Sequence, residues 1–315
     1  MHHVRMAGVG SCLPKKVLTN HDLAKKIDTS DEWIKKRTGI TQRYVVSENE
    51  SVVSMGAKAA KSAMDMANVK PEEIDQIIVA TCSAKDIFPS AACKIQTILG
   101  IPPCPAYDLQ AACAGFVYAM SCAENAIKVG MAKKILVIGS EAMSKVMDWQ
   151  DRTTCVLFGD GAGAVVLESA DEPGILATEL SADGKFSEAL LLPNQTVSGN
   201  KYLSMQGKTI FKVAVEELGN IAQRVIASAN ISAEEIDWIV PHQANLRIIA
   251  SMAKKIGVSM DKVILTVSEH ANTSTASIPL ALDYAIKNGT IKRGDTLLLD
   301  AFGGGLAWGA IVLKF

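Results

Sequence analysis

The sequence has no Cys-x-x-Cys pair and no excess of either charge. It also lacks any uninterrupted apolar run near the ~20 residues that a membrane-spanning helix requires. Its seven cysteines (12, 82, 93, 104, 113, 122 and 155) are odd in number and share no close spacing, which argues against a disulfide framework and a zinc site. No metal is expected, and free thiols suit a reducing cytoplasm. The amino terminus shows no basic stretch followed by a long apolar one, so no secretory leader is expected. Lys+Arg 32 against Asp+Glu 33 leave a net charge of -1, so no overall field draws the chain to nucleic acid or to an anionic membrane. Any anionic partner must be held by a local patch.

What is present is apolar sequence in two alternating periods. With 49% hydrophobic residues, 315 residues can bury a sizeable core. Strand-length runs at Gln76 to Thr81, Ala106 to Gln110 and Lys134 to Gly139 alternate with helical periods near Ala91 to Leu99 and from about Cys113 to Val129. The second half repeats the theme. Strands are expected at Trp238 to Val240, Val263 to Val267 and Thr296 to Leu299, and helices from about Asn245 to Ile256 and Ser274 to Lys287. Such alternation predicts α/β layering. Asp171-Glu172-Pro173-Gly174 breaks it near the midpoint and sets an expected division into residues 1–172 and 173–315.

The halves also resemble each other in sequence. Cys113-Ala-Gly-Phe overlays Asn272-Thr-Ser-Thr at an offset of 159, and Ala126-Ile127-Lys128-Val129-Gly130 overlays Ala285-Ile286-Lys287-Asn288-Gly289 at the same offset. Upstream, Glu72-Glu73-Ile74-Asp75 matches Glu234-Glu235-Ile236-Asp237 at an offset of 162. A duplication of this kind predicts two similar halves whose equivalent ends meet at one site, with a thiol from one and His242 and Asn272 from the other.

All three residues follow strands. Pro241 has no N–H for a sheet ladder, so it ends its strand and leaves His242 just beyond the carboxyl end. Carboxyl ends of strands are where ligands bind in open α/β sheets. Cys113 at a helix start would feel the positive end of the helix dipole, which predicts a thiolate. Gly159-Asp160-Gly161-Ala162-Gly163 is not a dinucleotide fingerprint, because Val165 to Glu168 reads as a strand where a helix would be needed. Gly303-Gly304-Gly305 follows a strand and can bring a backbone N–H close to a reacting carbonyl.

Together, Ala111-Ala112-Cys113-Ala114-Gly115-Phe116, Phe158-Gly159-Asp160-Gly161-Ala162-Gly163, Val240-Pro241-His242-Gln243-Ala244-Asn245, Asn272-Thr273-Ser274 and Ala301-Phe302-Gly303-Gly304-Gly305 closely resemble β-ketoacyl-[acyl carrier protein] synthase III, the family that initiates bacterial fatty acid synthesis. The resemblance extends to Phe315. It implies the thiolase fold, with two duplicated α/β halves in a five-layer αβαβα arrangement, and a homodimer. By the resemblance, Cys113 takes an acyl group from acetyl-CoA while backbone N–H groups of Cys113 and Gly305 receive the oxyanion. Malonyl-acyl carrier protein follows, and His242 and Asn272 hold its thioester carbonyl as decarboxylation forms the enolate that attacks acyl-Cys113. No metal or redox cofactor is implied.

The same resemblance places Trp33 and Arg152 on either side of the coenzyme A adenine, Thr29 and Arg37 along that site, and Asn245 near the pantetheine. It assigns Phe88, Phe158, Leu190 and Phe211 to the acyl pocket, with Phe88 reaching over from the other subunit and restricting the starter. Arg247, Lys254 and Lys255, spaced to share one helix face, and Lys212 would dock the acidic carrier protein. Thiolases use a second cysteine and elongating synthases a second histidine, and neither is found here. Plant-type polyketide synthases share Cys-His-Asn, so the triad alone leaves a bulkier starter open. Two departures stand out: Ala271 where many relatives have glycine, and Asp300 where glutamate is common.

Overall fold

A computed structural model describes residues 2–194, 198–199 and 202–315. Its centre is a pair of sheets built on the same plan. In the first, the strand order is His3–Cys12, Asp160–Ala170, Lys134–Ala142, Gln76–Ala80, Ala106–Leu109. In the second, read in the opposite direction, it is Ile175–Ala182, Ala307–Lys314, Thr296–Gly303, Trp238–Pro241. In each, the central strand pairs parallel with one neighbour and antiparallel with the other. The chain passes from the first sheet to the second between Ala170 and Ile175.

Burial follows from that plan. Gln76–Ala80 and the body of Lys134–Ala142 are buried on both faces, as near-continuous Ile, Leu and Val runs require. Helices Gly115–Lys128 and Ser277–Lys287 fill the space between the sheets, where Phe116, Met120, Leu282 and Leu299 share one core. Val52–Ala67 and Ala91–Leu99 cover the outer face of the first sheet, and Gly207–Ser228 with Leu246–Ile256 that of the second. The result is the expected five-layer αβαβα thiolase fold. No helix among the described residues is long and apolar enough to cross a membrane.

One expected strand is not formed. Val263 makes a single parallel bridge to Ile239, Met260–Lys262 are a 3-10 turn and Val267–His270 a short helix. A Val-Ile-Leu-Thr-Val run reads as a strand locally, but only Val263 and Ile264, whose N–H donates to Ile239 O at 2.9 Å, meet the sheet edge, and Val267 instead joins the outer core.

The duplication is real, with a corrected register. The turns Pro71–Glu73 and Ala233–Glu235, the strands from Gln76 and Trp238, those from Lys134 and Thr296, and the helices from Gly115 and Ser277 all begin 162 residues apart. Cys113 is the second residue of the 3-10 turn Ala112–Ala114, and its counterpart is Thr275 in Ser274–Ala276. Both turns open on a residue of positive φ, 45° at Ala112 and 50° at Ser274. Overlaying Cys113 on Asn272 was therefore a misalignment. The offset of 159 belongs to the helix ends, because Gly115–Lys128 has 14 residues and Ser277–Lys287 only 11.

Candidate active site

Each 3-10 turn lies across the other half's central strand, and glycine makes the crossing possible. A Cβ on Gly303 would stand 2.5 Å from the Cys113 nitrogen, and one on Gly139 would collide with the Thr275 carbonyl. Cys113 is thus pressed from the first half onto the end of Thr296–Gly303 in the second. Asn272 is held in the reverse sense: its N–H donates to Leu157 O at 2.9 Å, and its carbonyl accepts from Gly159 N at 2.9 Å.

Burial works against the expected thiolate. Burial pushes the Cys113 thiol up to about 12, against an opposing hydrogen bond with Ser274, and the Glu141 carboxylate adds to the rise. The α-helix starts at Gly115, two residues on.

His242 follows Trp238–Pro241, and its N–H donates to Asp300 O at 2.7 Å. Its Nδ1 lies 2.6 Å from Ser277 Oγ, which also accepts from Gln243 N at 3.3 Å. Where the Ser277 hydroxyl donates its hydrogen to Nδ1, the ring proton stands on Nε2. Burial lowers the imidazole to about 3, so it stays neutral. Asn272 Oδ1 accepts from Ser274 N at 2.8 Å, which leaves the amide's N–H groups as its available end. Asn272 is thus oriented as a donor, and His242 is one in the Nε2–H tautomer.

Cys113, His242 and Asn272 line one cavity of about 170 Å³. Phe158, Leu190, Phe211 and Asn245 line it too. Phe88 does not; it stands 84% exposed after Ile87, itself 71% exposed. A groove of about 700 Å³ shares Leu157, Met205, Phe211 and Asn245 with the cavity and runs to Trp33, Arg37, Arg152 and Arg247. The Arg37 and Arg152 guanidinium carbons sit 4.9 and 5.4 Å from the Trp33 ring centre. Arg152 also donates to Asp28 O at 2.7 Å. Thr29 lies nearby in sequence with a buried hydroxyl that has no hydrogen-bond partner. Asn245 caps Leu246–Ile256 and donates to Arg37 O at 3.1 Å.

Gly305 is exposed in the turn after Thr296–Gly303, with φ of 139°. Lys212, Arg247 and Lys254 are exposed, and Arg247 lies over the Phe211 ring at 5.2 Å. Lys255 differs from the expected shared face. Its ammonium donates to Glu216 O and Asn220 Oδ1, each at 2.8 Å, so its charge is directed onto the neighbouring helix. Sequence reasoning missed Ser277, Ser274 and Glu141, which orient the site from behind. The only local signal was polar residues, Ser140 and Glu141, ending a buried strand.

A cysteine, a neutral histidine and an asparagine brought to one cavity by two duplicated halves define a thiolase-fold condensing enzyme. Models of the family described as 3-oxoacyl-[acyl-carrier-protein] synthase III match residues 107–184, and its C-terminal part matches 226–315. A β-ketoacyl-[acyl-carrier-protein] synthase III of Neisseria meningitidis serogroup C is 55% identical over 100% of both chains. The Thioalkalivibrio sulfidiphilus protein of that name is 50% identical, also over 100% of both. The crystal structure of the Aquifex aeolicus 3-oxoacyl-[acyl-carrier-protein] synthase III superposes with a TM-score of 0.95 at 47% identity, covering 99% of this chain and 100% of that one. The priming β-ketosynthase of the R1128 polyketide pathway gives 0.96 at 34% identity, covering 100% and 96%. The chain belongs to the β-ketoacyl-[acyl-carrier-protein] synthase III family, and it is a condensing acyltransferase of fatty acid synthesis.

Proposed function

We propose that this enzyme condenses acetyl-CoA with malonyl-acyl carrier protein through an acyl-Cys113 intermediate, releasing coenzyme A, carbon dioxide and a β-ketoacyl-acyl carrier protein. The observation that carries the reading is the convergence of Cys113, His242 and Asn272 on one small cavity. The Cys113 sulfur attacks the acetyl thioester, and N–H groups of Cys113 and Gly305 receive the oxyanion. After coenzyme A leaves, His242 Nε2 and the Asn272 amide donate to the malonyl thioester carbonyl, so the charge freed by decarboxylation is held as an enolate. The enolate attacks acetyl-Cys113. Splitting one difficult step into two through a covalent intermediate is the rationale for the thiol. The substrates carry the reactive thioesters, so no metal or redox cofactor takes part in these steps.

The remaining assignments follow the groove. Its continuity from the cavity to Trp33, Arg37 and Arg152 suits a coenzyme A arm with its adenine between the indole and Arg152, which then swings off the ring. Asn245 lines the same route, and Thr29, close to Trp33 in sequence, is assigned to it by family resemblance. Phe158, Leu190 and Phe211 crowd the 170 Å³ cavity and favour a short starter. Phe88, exposed on its own chain, would complete the cavity of a second copy in a homodimer. Lys212, Arg247 and Lys254, with Lys255 behind them, present positive charge beside the groove for an acidic carrier protein. Such proteins are handled in the cytoplasm.

Mass spectrometry of the intact enzyme after incubation with acetyl-CoA tests the reading. One acetyl mass should appear on Cys113, and Cys113→Ser should lose it. His242→Ala and Asn272→Ala should still be acetylated yet fail to decarboxylate malonyl-acyl carrier protein. Loss of acetylation with retained decarboxylation would show that the roles are misassigned.

A further inference from the structure

Arg43 stands in a two-stranded sheet outside the two main ones, where Gln42–Val45 pairs antiparallel with Lys16–Thr19. Its side chain is fully buried, and none of its hydrogen-bond partners among the described residues is a carboxylate. Nη1 donates to Asn20 Oδ1 at 2.8 Å and to Leu18 O at 3.3 Å, Nη2 donates to Val156 O at 2.7 Å, and Nε has no partner. Taking a charge out of water is costly unless a counter-charge and a full set of hydrogen bonds repay it. Here neither condition is met, so the fold alone gives little reason for an arginine.

Its bonds lead to the active site. Two of them anchor the guanidinium to its own hairpin, and the third reaches 113 residues along the chain to the run that carries Asn272. Leu157, next after Val156, accepts the Asn272 N–H at 2.9 Å, Phe158 forms a parallel bridge with Asn272, and Gly159 N donates to Asn272 O at 2.9 Å. The hairpin end grips the other approach to Asn272 as well, since Thr41 N and Thr41 Oγ1 each donate to Ser268 O at 2.8 Å, in the short helix Val267–His270. The two approaches close on each other at Gly159. A Cβ there would stand 2.7 Å from His270 O and 3.1 Å from Arg43 Cβ. Cys113 and His242 rest on other supports, the turn pressed against Gly303 and the bond to Asp300 O.

We propose that Arg43 is a positioning residue for decarboxylation: it fixes residues 156–158 and, through them, the donor amide of Asn272. This rests on Asn272 holding the malonyl thioester carbonyl. A buried charge is suited to the task because its donors diverge in one plane, so a single side chain ties its own hairpin to a distant carbonyl in a fixed direction. Removing it should move one of the three site residues and leave the other two in place.

The test follows the two half-reactions separately, acetylation of Cys113 at saturating acetyl-CoA by intact mass and decarboxylation of malonyl-acyl carrier protein by release of carbon dioxide. Both are expressed per active site, counted by the acetyl mass gained. Arg43→Met keeps an unbranched stem but gives Val156 O no donor. Its decarboxylation kcat should fall about 100-fold, the common result of a misplacement of about 1 Å, while the Michaelis constant for malonyl-acyl carrier protein and the acetylation rate stay near wild type. Arg43→Lys, which retains the charge and a donor, should recover part of the loss. Asn272→Ala leaves only a residual rate, and adding Arg43→Met should not lower it further, because the two act as one unit. Equal falls in both half-reactions, or a further fall in the double variant, would overturn the proposal and leave Arg43 a structural ion. Wild-type decarboxylation by Arg43→Met would overturn it too. Where Arg43→Met does not fold, Arg43→Lys carries the same comparison, and failure of both to fold would assign the guanidinium to the fold alone. Wild-type decarboxylation by Asn272→Ala itself would remove the role given to Asn272, and this proposal with it.

Discussion

Ala271 should be better as glycine, although it is completely buried beside a candidate catalytic residue. It has φ 60° and ψ -160°, a region that is essentially reserved for glycine. Holding a residue with a Cβ there stores about 1 to 3 kcal/mol of strain. Ala271→Gly releases that strain. Against the gain stand about 0.8 kcal/mol for the lost burial of one methyl and about 0.5 to 1 kcal/mol for the freer unfolded chain. The sum runs from about -0.8 to about +1.7 kcal/mol, centred on slight stabilisation. Ala281 supplies the contrast, because it is equally buried but sits inside helix Ser277–Lys287. There the same change has no strain to release, and it costs about 2 kcal/mol through the lost methyl and the poor helix propensity of glycine.

Urea unfolding of the two variants and the wild type, compared at constant denaturant slope, reads the difference directly. We expect Ala271→Gly to match or exceed the wild-type midpoint and Ala281→Gly to fall clearly below it. Equal losses in the two variants would refute the strain argument. Unchanged decarboxylation by Ala271→Gly would add that the strain is not required to aim Asn272.

Asp300 is fully buried, both its carboxylate oxygens lack partners, and burial raises it to about 7. An acid whose folded value is raised favours folding below its unfolded value and loses that contribution as pH rises through the folded one. Asp300→Asn should therefore gain stability over the wild type between about pH 4 and 7, reaching on the order of 4 kcal/mol at most; a gain independent of pH would contradict the assignment. Charge reversal at Arg247 and Lys254 should raise the Michaelis constant for malonyl-acyl carrier protein and flatten its salt dependence, since exposed charges act on encounter and are screened. Acetylation of Cys113 should be untouched, and an equal fall in both half-reactions would place the patch elsewhere in the chemistry.

Much of this was legible because strands buried on both faces announce themselves as unbroken apolar runs, and Gln76 to Ala80 and Thr296 to Leu299 could hardly be anything else. Residues at the carboxyl ends of those strands were legible for the same reason, which is how His242 was found. Ionisation was not. A helix start predicts a thiolate, but the sequence does not show how deeply the sulfur is buried, and burial opposes ionisation at Cys113. Nor was the register of the duplication, since the missing helical turn between Ser277 and Lys287 shifts the identities by three residues. Ser277, Ser274 and Glu141 were hidden because they act through contacts 35 to 133 residues distant in sequence, and that between Ser274 and Glu141 crosses from one half to the other.

The corrected register explains why the chemistry lies where it does. An offset of 162 sets Glu141 opposite Gly303, each at the end of its central strand and each beside the other half's 3-10 turn. On the first strand a carboxylate grips Ser274 and Thr275; on the second, the absent side chain lets the Cys113 turn close in. A Cβ at Gly303 would lie 2.5 Å from Cys113 N and 2.9 Å from Ala114 N, backbone atoms that can yield only by moving the turn. Gly303→Ala should therefore displace the sulfur and the N–H beside it, and misplacement by about 1 Å commonly costs about 100-fold in rate. Gly304→Ala is the matched control, since its Cβ would meet nothing nearer than Leu190 O at 3.0 Å. Acetylation should collapse in the first variant and largely survive in the second. Equal acetylation by both would mean that the turn does not depend on the missing side chain, and that the asymmetry between Glu141 and Gly303 has no part in placing the thiol.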